Sequence, residues 1–577
     1  MNQSTSVKRA GRLGGLSKTG LMYASLLVFW VACILLFNPR LLSLMHSSTS
    51  IPARVSVLLF VLCIDVFWLY GGYYLMMFLF SLLARLDRRP APALAKDPPP
   101  VAVLYTTCND FSLRAAVSCV EQAYGRHHVF VLDDSTDPGK IAEVDAFAGR
   151  FPDKVTVVRR GTRDGYKAGN VNSALRNYVK GYPYFALVDA DGVIPPDFVA
   201  KLTPYFGLDE RIAFVQGSHS PHPVQKSRFA QDLAEGILPL WTVYFPPKNK
   251  YGFVVFLGHG GIIRRDVWEQ AGGFPEVVSE DLAFSTKIRE MGYTGYFVPG
   301  VVSLEDFPES YAQLRKQQVK YTKGSLEYMA RGFGGFARAR GVKWYEKADV
   351  LFSCTSLYLP AFYLLFLFLY CLVLPAYWGI DKPLNISLPG LNVRLWTACV
   401  FRQEFKSIGT AGFYALTILT MVAPILGCLG PMLRRPAKTL RLLCLSTVPY
   451  LSLVFASFWS AFNYLFTKRA VFLVTGDRRQ VGGSQGHPTR RCSLLVPELV
   501  LGLFLTAVGL RLVNLSLLAL SISLILGSLV HRFGWSNRVL APALFVPALL
   551  ILGAVGTLGM GAIGLQGIFL PFFMVHF

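Results

Sequence analysis

The sequence predicts a polytopic α-helical membrane protein carrying an inserted α/β domain built on a doubly wound sheet. Three observations lead there. Of 577 residues, 53% are hydrophobic and only 16% charged, more apolar than one water-soluble core requires. Apolar runs long enough for a hydrocarbon layer of about 30 Å fall at about 20–37, 55–80, 352–378 and 411–433, with others between about 495 and 577. Between 85 and 345 no such run occurs, and that stretch is large enough for a core of its own. The chain therefore divides into a tail and two transmembrane helices (1–84), a folded domain (85–345) and a C-terminal transmembrane region (346–577).

The first apolar run lacks a small-residue cleavage site and is followed closely by a second, so it reads as an anchor rather than a removed signal peptide. Lys8, Arg9, Arg12 and Lys18 precede it, which places that end in the cytoplasm. Two crossings return the chain at RLDRR, residues 85–89, so the folded domain is expected to be cytoplasmic. The net charge of +22 comes largely from Lys and Arg in short loops beside apolar runs. Positive-inside bias and anionic lipid account for these residues, and nucleic acid is not expected as a partner. Ten cysteines form no CxxC pair and only Cys399 falls in a loop assigned outside, so no disulfide framework is expected.

The folded domain opens, after Pro98 to Pro100, with VAVLYTTCND, an apolar β-rich run ending in small polar residues. LRAAVSCVEQ reads as a helix, followed by strands in HHVFVLDDSTD, VTVVRRG and YFALVDADG. Strands alternating with helices imply a doubly wound sheet whose ligands bind beyond the strands' carboxyl ends. Two of those ends carry clustered acids, Asp133 with Asp134, then Asp189 with Asp191. An Asp-x-Asp suits a hard divalent cation holding a diphosphate. Asp beside Gly or Ser also simply makes turns, but two such pairs with GYKAGNVNSAL between them favour a site. Lys167, ahead of Gly169 and Asn170 where a loop enters a helix, can bring its ammonium to a phosphate.

Together these residues resemble the family-2 glycosyltransferases, specifically the membrane-embedded processive branch that includes cellulose, curdlan and hyaluronan synthases. The resemblance covers about 99–345 and extends into the membrane part, and it implies a GT-A-like fold for the inserted domain. By position it implies that Thr106, Asp133 and Lys167 bind the nucleotide sugar, with Asp133 at the base. Asp189 and Asp191 match the family's metal- and diphosphate-binding pair, for Mg2+ or Mn2+. In VVSEDLAFS, Ser279, Glu280 and Asp281 match Thr-Glu-Asp, which makes Asp281 the general base and puts Glu280 at the acceptor. VFLGHGGIIRR looks like the acceptor loop, with Gly258 and His259 at its turn. Inverting sugar transfer needs one base for the acceptor hydroxyl, which suits Asp281. An acidic pair here also fits a helix start, and both roles are compatible.

Further on, RKQQVKYTKG occupies the place of the family's Gln-x-x-Arg-Trp. Gln317 is kept, while Lys320 and Tyr321 replace Arg and Trp: a point charge for a bidentate fork, and a ring with a hydroxyl for a larger ring. The resemblance assigns Lys320 to the donor diphosphate and Gln317 and Tyr321 to the acceptor. Phe472, Val474 and Thr475 match the Phe-x-Val-Thr of a gating loop that closes over the nucleotide sugar, though they also fit an ordinary β-prone loop. Keeping the basic loop 467–491 inside makes 442–466 an interfacial helix, with crossings resuming near 495–512 and 514–530 and one or two elements in 539–577. Asp65, near Trp68 and Tyr70, either lines a carbohydrate path or bonds two helices together. His219 and His222 sit in a turn-rich GSHSPHP with no Cys nearby, which does not read as zinc.

The expected protein is a processive inverting glycosyltransferase of the bacterial plasma membrane that extends a β-glycan and passes it across. Its partners would be UDP-glucose, the growing glycan, membrane lipids and accessory export or regulatory subunits. No cyclic-di-GMP receptor module is expected after the membrane segments. Single transfer to a lipid or short glycan acceptor is the alternative reading. A transporter or scaffold with an inactive transferase domain is a third.

Overall fold

A computed structural model describes residues 18–48, 50–86, 91–223, 225–388, 391–406, 410–468 and 494–559. Seven strands form the central sheet: β1 (Val101–Thr107), β2 (His127–Asp133), β3 (Val155–Val158), β4 (Tyr184–Asp189), β5 (Ile212–Pro221), β6 (Gly261–Arg264) and β7 (Thr294–Glu305). Their spatial order is β3-β2-β1-β4-β6-β5-β7. β1, β2, β3 and β4 are mutually parallel, as the alternation of strands and helices predicts. The second half departs from a simple doubly wound sheet, because β6 runs antiparallel to both β4 and β5. β6 is the short return strand after the GHG turn, and its reversed direction carries that turn to the carboxyl edge of β4.

Side chains alternate across the sheet with the two-residue period of a strand. Val101, Val103 and Tyr105 enter one core with Ala186 and Val188. Ala102 and Leu104 enter the other with Phe185 and Leu187. Burial on both faces is why these strands read as continuous apolar runs.

Six helical segments among the described residues are long and apolar enough to cross a membrane: Leu21–Ser47, Ile51–Arg85, Trp344–Trp378, Ala411–Arg434, Pro436–Thr467 and Leu515–Phe533. The expected interfacial stretch 442–466 lies inside one 32-residue helix, Pro436–Thr467, which qualifies by length and composition like the other five. Helix Val496–Leu512 lies where a crossing was expected, and Val546–Gly559 follows in the last apolar stretch. The segment holding Cys399 forms an antiparallel hairpin, β8 (Gly379–Leu388) with β9 (Leu391–Phe401). The described cysteines are free thiols.

Asp65 takes the interhelical option. Its carboxylate accepts from Asn38 Nδ2 at 2.9 Å and its carbonyl from Trp30 Nε1 at 2.8 Å, joining helices α1 (Leu21–Ser43) and α2 (Ile51–Leu86). Trp68 is packed between Phe37 and Phe413.

Ion pairs join the sheet domain to the apolar helices. Lys248 Nζ lies 2.9 Å from Asp349, whose other oxygen accepts from Phe253 N–H at 2.6 Å. Arg289, at the end of helix Glu280–Glu290, grips Glu346 at 2.8 and 2.9 Å, and Lys18 reaches the same carboxylate at 3.5 Å. Glu346 is fully buried in the first turn of helix Trp344–Thr355, where these cations meet it.

Candidate active site

The parallel register of β1, β2 and β4 brings their carboxyl ends to one edge: Thr107 pairs with Asp133, and Thr106 with Asp189. Thr106 Oγ1 donates to Asp189 Oδ1 at 3.0 Å. Lys167, in the first turn of helix Tyr166–Asn177, ion-pairs with Asp189 and donates to the Gly258 carbonyl at 3.0 Å. Burial works against charge on both partners, yet the pairing outweighs it. Asp189 is held well below the usual carboxylate range by Lys167 and His259, and the Lys167 ammonium is shifted upward by Asp189, Glu280 and Asp281. Asp191 is pushed the other way, up to about 7, by burial and by Asp189 and Glu305 beside it.

Asp133 and Asp134 are engaged by arginines from the next strand end. Arg159 Nε lies 2.8 Å from Asp133 Oδ2 while Ser135 N–H donates to Oδ1 at 2.9 Å. Arg160 forks onto Asp134 at 3.0 and 2.7 Å. The Asp133 side chain is fully buried by this pairing.

Across the cleft, Ser279 precedes helix Glu280–Glu290 without capping it through its side chain, and Glu280 and Asp281 fill the first turn where the helix dipole favours acids. Asp281 Oδ1 accepts Leu282 N–H at 2.7 Å. Both carboxyls are raised, by burial first, with Lys167 and Lys320 opposing. The turn between these groups is Gly258, where a Cβ would lie 3.7 Å from Asp281 Oδ2 and 3.8 Å from Lys167 Nζ. Asp281 and Lys167 thus face each other over a glycine. Gly260 adopts φ +65°, and a Cβ there would fall 2.5 Å from His219 Nε2.

Helix Tyr311–Arg331 carries Gln317, Lys320 and Tyr321. It sits close because Gly324 faces Ser279, where a Cβ would fall 2.4 Å from its hydroxyl oxygen. Gln317 Nε2 donates to Tyr321 OH at 3.1 Å, and Lys320 Nζ lies 5.9 Å from the Tyr321 ring centre. The Tyr321 phenol is shifted far upward by burial and then by the charges of Glu305 and Asp281. If Tyr321 is a sugar platform, Tyr321→Ala should shorten or abolish product while Tyr321→Trp is tolerated. Lys320→Ala should impair donor use and Lys320→Arg only mildly. Product yield and length for these variants check it, and a merely solvated helix end would leave both alanine variants near normal.

One cluster is not legible in GSHSPHP. His219 Nδ1 lies 2.9 Å from Glu305 Oε2, and His259 Nε2 lies 3.5 Å from the same oxygen, a grouping with the spacing of metal ligands. His222 goes elsewhere, beside Arg114 at 3.3 Å. Burial and His219 lower His259 to about 4, so its ring is neutral at neutral pH. Burial opposes charge on Glu305, but His219 and His259 hold its pKa below the usual value. The expected residues other than Thr475 therefore converge on one sheet edge, while Thr475 lies outside the described residues.

Residues 184–475 match the model of glycosyl transferase family group 2. Among curated proteins, the chain is 25% identical over 299 residues to the probable glucomannan 4-beta-mannosyltransferase 11 of Arabidopsis thaliana, covering 50% of this chain and 66% of that one. It is also 25% identical over 290 residues to glucomannan 4-beta-mannosyltransferase 7 of the same plant, covering 49% and 51%. The matched stretch thus spans between about half and two-thirds of these relatives' own lengths. Among solved structures, mannosyltransferase PcManGT from Pyrobaculum calidifontis, in complex with GDP-Man and Mn2+, aligns with a TM-score of 0.43 at 19% identity, over 71% of this chain and 100% of that one. S. aureus TarS 1-349 aligns with a TM-score of 0.29 at 13% identity, over 63% and 88%. The matched region begins at β4 with its Asp189 and Asp191, runs through Asp281 and Tyr321, and covers half of the chain, which therefore belongs to glycosyl transferase family group 2.

Proposed function

We propose that the chain is an inverting hexosyltransferase that uses a nucleoside-diphosphate sugar to extend a β-linked glycan. The observation that carries this reading is Asp281 facing Lys167 and the Asp189 end of β4 across Gly258. That places a base on one side of the cleft and a diphosphate-binding edge on the other. Asp281 takes the proton of the acceptor hydroxyl as its oxygen attacks the anomeric carbon; the bond to the diphosphate breaks on the opposite face, and Lys167 and Lys320 offset the charge that departs. Tyr321 holds the terminal sugar by its ring.

A divalent cation fits beside Asp189 and Asp191, both oxygen donors, where burial and then crowding of like charges lift Asp191. When bound, Mg2+ or Mn2+ would offset diphosphate charge there.

The relatives' names support a mannosyl donor alongside the glucosyl donor the family resemblance suggests. Processive growth and passage across the plasma membrane are supported by the seat of the Tyr321 helix. It bonds to the apolar helix Pro436–Thr467 through Tyr311 OH to Ser452 Oγ at 2.7 Å and Gln318 Nε2 to Ser457 Oγ at 3.0 Å. The sheet domain is on the cytoplasmic side in this reading, where nucleotide sugars are made. Incubating the full-length protein with labelled GDP-mannose, UDP-glucose or both tests it. Polymer supports the reading, a single-sugar product shifts it to non-processive transfer, and no product with any nucleotide sugar overturns it.

A further inference from the structure

Glu305 is a cleft carboxylate that the proposed reaction leaves without a task. Glu305 ends β7, and the bridge between Val193 and Leu304 sets it beside Asp191. Ligand atoms at about 2.1 Å from a metal lie roughly 3.0–3.4 Å apart, so the spacings around Glu305 would suit His219, His259 and Glu305 as ligands. The far side of His219 argues for hydrogen bonding instead. Gln216 is wholly buried, and its amide oxygen accepts from Leu257 N–H at 3.1 Å. Its nitrogen is therefore the end that faces the carbonyls of His259, Gly260 and Gly217 at 2.9, 3.1 and 3.2 Å and the His219 Nε2 at 3.3 Å. With Nε2 turned to the Gln216 amide nitrogen, Nδ1 is the ring nitrogen that faces Glu305 and donates to it. A metal on Nδ1 would drive that proton to Nε2, against the amide hydrogens. Trp241, stacked on the His219 ring at 4.4 Å and 8°, holds its plane.

We propose that Glu305, held in place by Gln216 and His219, is an acceptor-binding residue whose carboxylate takes hydrogen bonds from the hydroxyls of the terminal hexosyl unit on Tyr321. Glu305 lies 3.5 Å from His259 of the acceptor turn, its side chain is 18% exposed, and its charge, with that of Asp281, reaches the buried Tyr321 phenol. A carboxylate offers two oxygens to adjacent sugar hydroxyls, in bonds stronger than neutral ones. His219 and Gln216 act through Glu305 as positioning residues. This inference rests on the transferase reading above.

The test uses the full-length protein in nanodiscs, with β-1,4-mannotetraose and cellotetraose as acceptor probes, binding read by calorimetry and transfer from GDP-mannose and UDP-glucose. Glu305→Gln should weaken tetrasaccharide binding and raise acceptor KM by about 10-fold or more, with donor KM and Mn2+ affinity within about 2-fold of wild type. Gln216→Glu, which turns the donor facing Nε2 into an acceptor and frees the other tautomer, should reproduce the acceptor defect. Unchanged tetrasaccharide binding in Glu305→Gln overturns the proposal, as does a loss confined to donor KM or to the affinity for Mn2+ or Zn2+ added alone. Nucleotide binding and melting temperature verify that each variant is folded, and Glu305→Asp serves if Glu305→Gln is not. Calorimetry needs no turnover, so wild type that binds tetrasaccharide but transfers nothing would count against the transferase reading and still decide the role of Glu305.

Discussion

Asp281→Asn should lower turnover by about 100-fold or more while nucleotide-sugar affinity stays close to wild type, the usual loss when a general base is removed. The amide keeps the size of the side chain and can still accept Leu282 N–H through its oxygen, so the helix start is preserved. What disappears is the carboxylate proposed as proton acceptor, which lies with Lys167 beside Gly258. The pH profile gives a second signature. Burial raises Asp281 and its neighbour Glu280, so the ionised base is gained only as pH rises through a value above the usual carboxylate range, and activity is lost on the acid side earlier than for an exposed aspartate near 4. Wild-type kcat/KM should therefore climb with pH above the range where an exposed aspartate ionises, and the residual activity of Asp281→Asn should lack that limb. Near-normal turnover in the variant would remove Asp281 from the role.

Removing the metal should be comparably severe. Excess chelator should stop transfer and added Mg2+ or Mn2+ should restore it. Asp191→Ala should weaken donor binding and lower kcat/KM by about 100-fold or more, in line with several kcal/mol of charge stabilisation at the diphosphate. The affected side chain is the one that burial and then like charge push up to about 7, so it has most to gain from a cation. Donor titration with and without chelator reads the effect directly, and full activity in excess chelator would refute it.

The parallel half of the sheet was legible because both its faces are buried, which makes β1, β2 and β4 continuous apolar runs with their polar residues at the ends. Asp189, Asp191 and Asp281 were legible for a local reason: each sits at a strand or helix terminus, where a few residues carry the whole signal. The arginines on Asp133 and Asp134 were not identified, although VTVVRRG was read as a strand. Leu132 pairs with Val158, so the residues just beyond, Asp133 with Arg159 and Asp134 with Arg160, meet in register, a match visible once the two strands are aligned. Glu305 and His219 had no such clue. They lie 86 positions apart, and His219 suggests only its near neighbour His222 until β5 and β7 are known to pair.

The grip of Arg289 on Glu346 makes lipid chain length a variable of the chemistry. Asp281 and Arg289 share one helix, and the steps from 281 to 289 at about 1.5 Å each put them about 12 Å apart on a stiff rod. The far end of that rod is fastened to the first turn of Trp344–Trp378, a segment long and apolar enough to cross a bilayer, whose depth in one would follow its thickness. Thinner or thicker bilayers would shift or tilt that segment and pull on the rod from its anchored end. Turnover in vesicles of graded acyl length should pass through an optimum, and Arg289→Gln, which loosens the fastening, should flatten it.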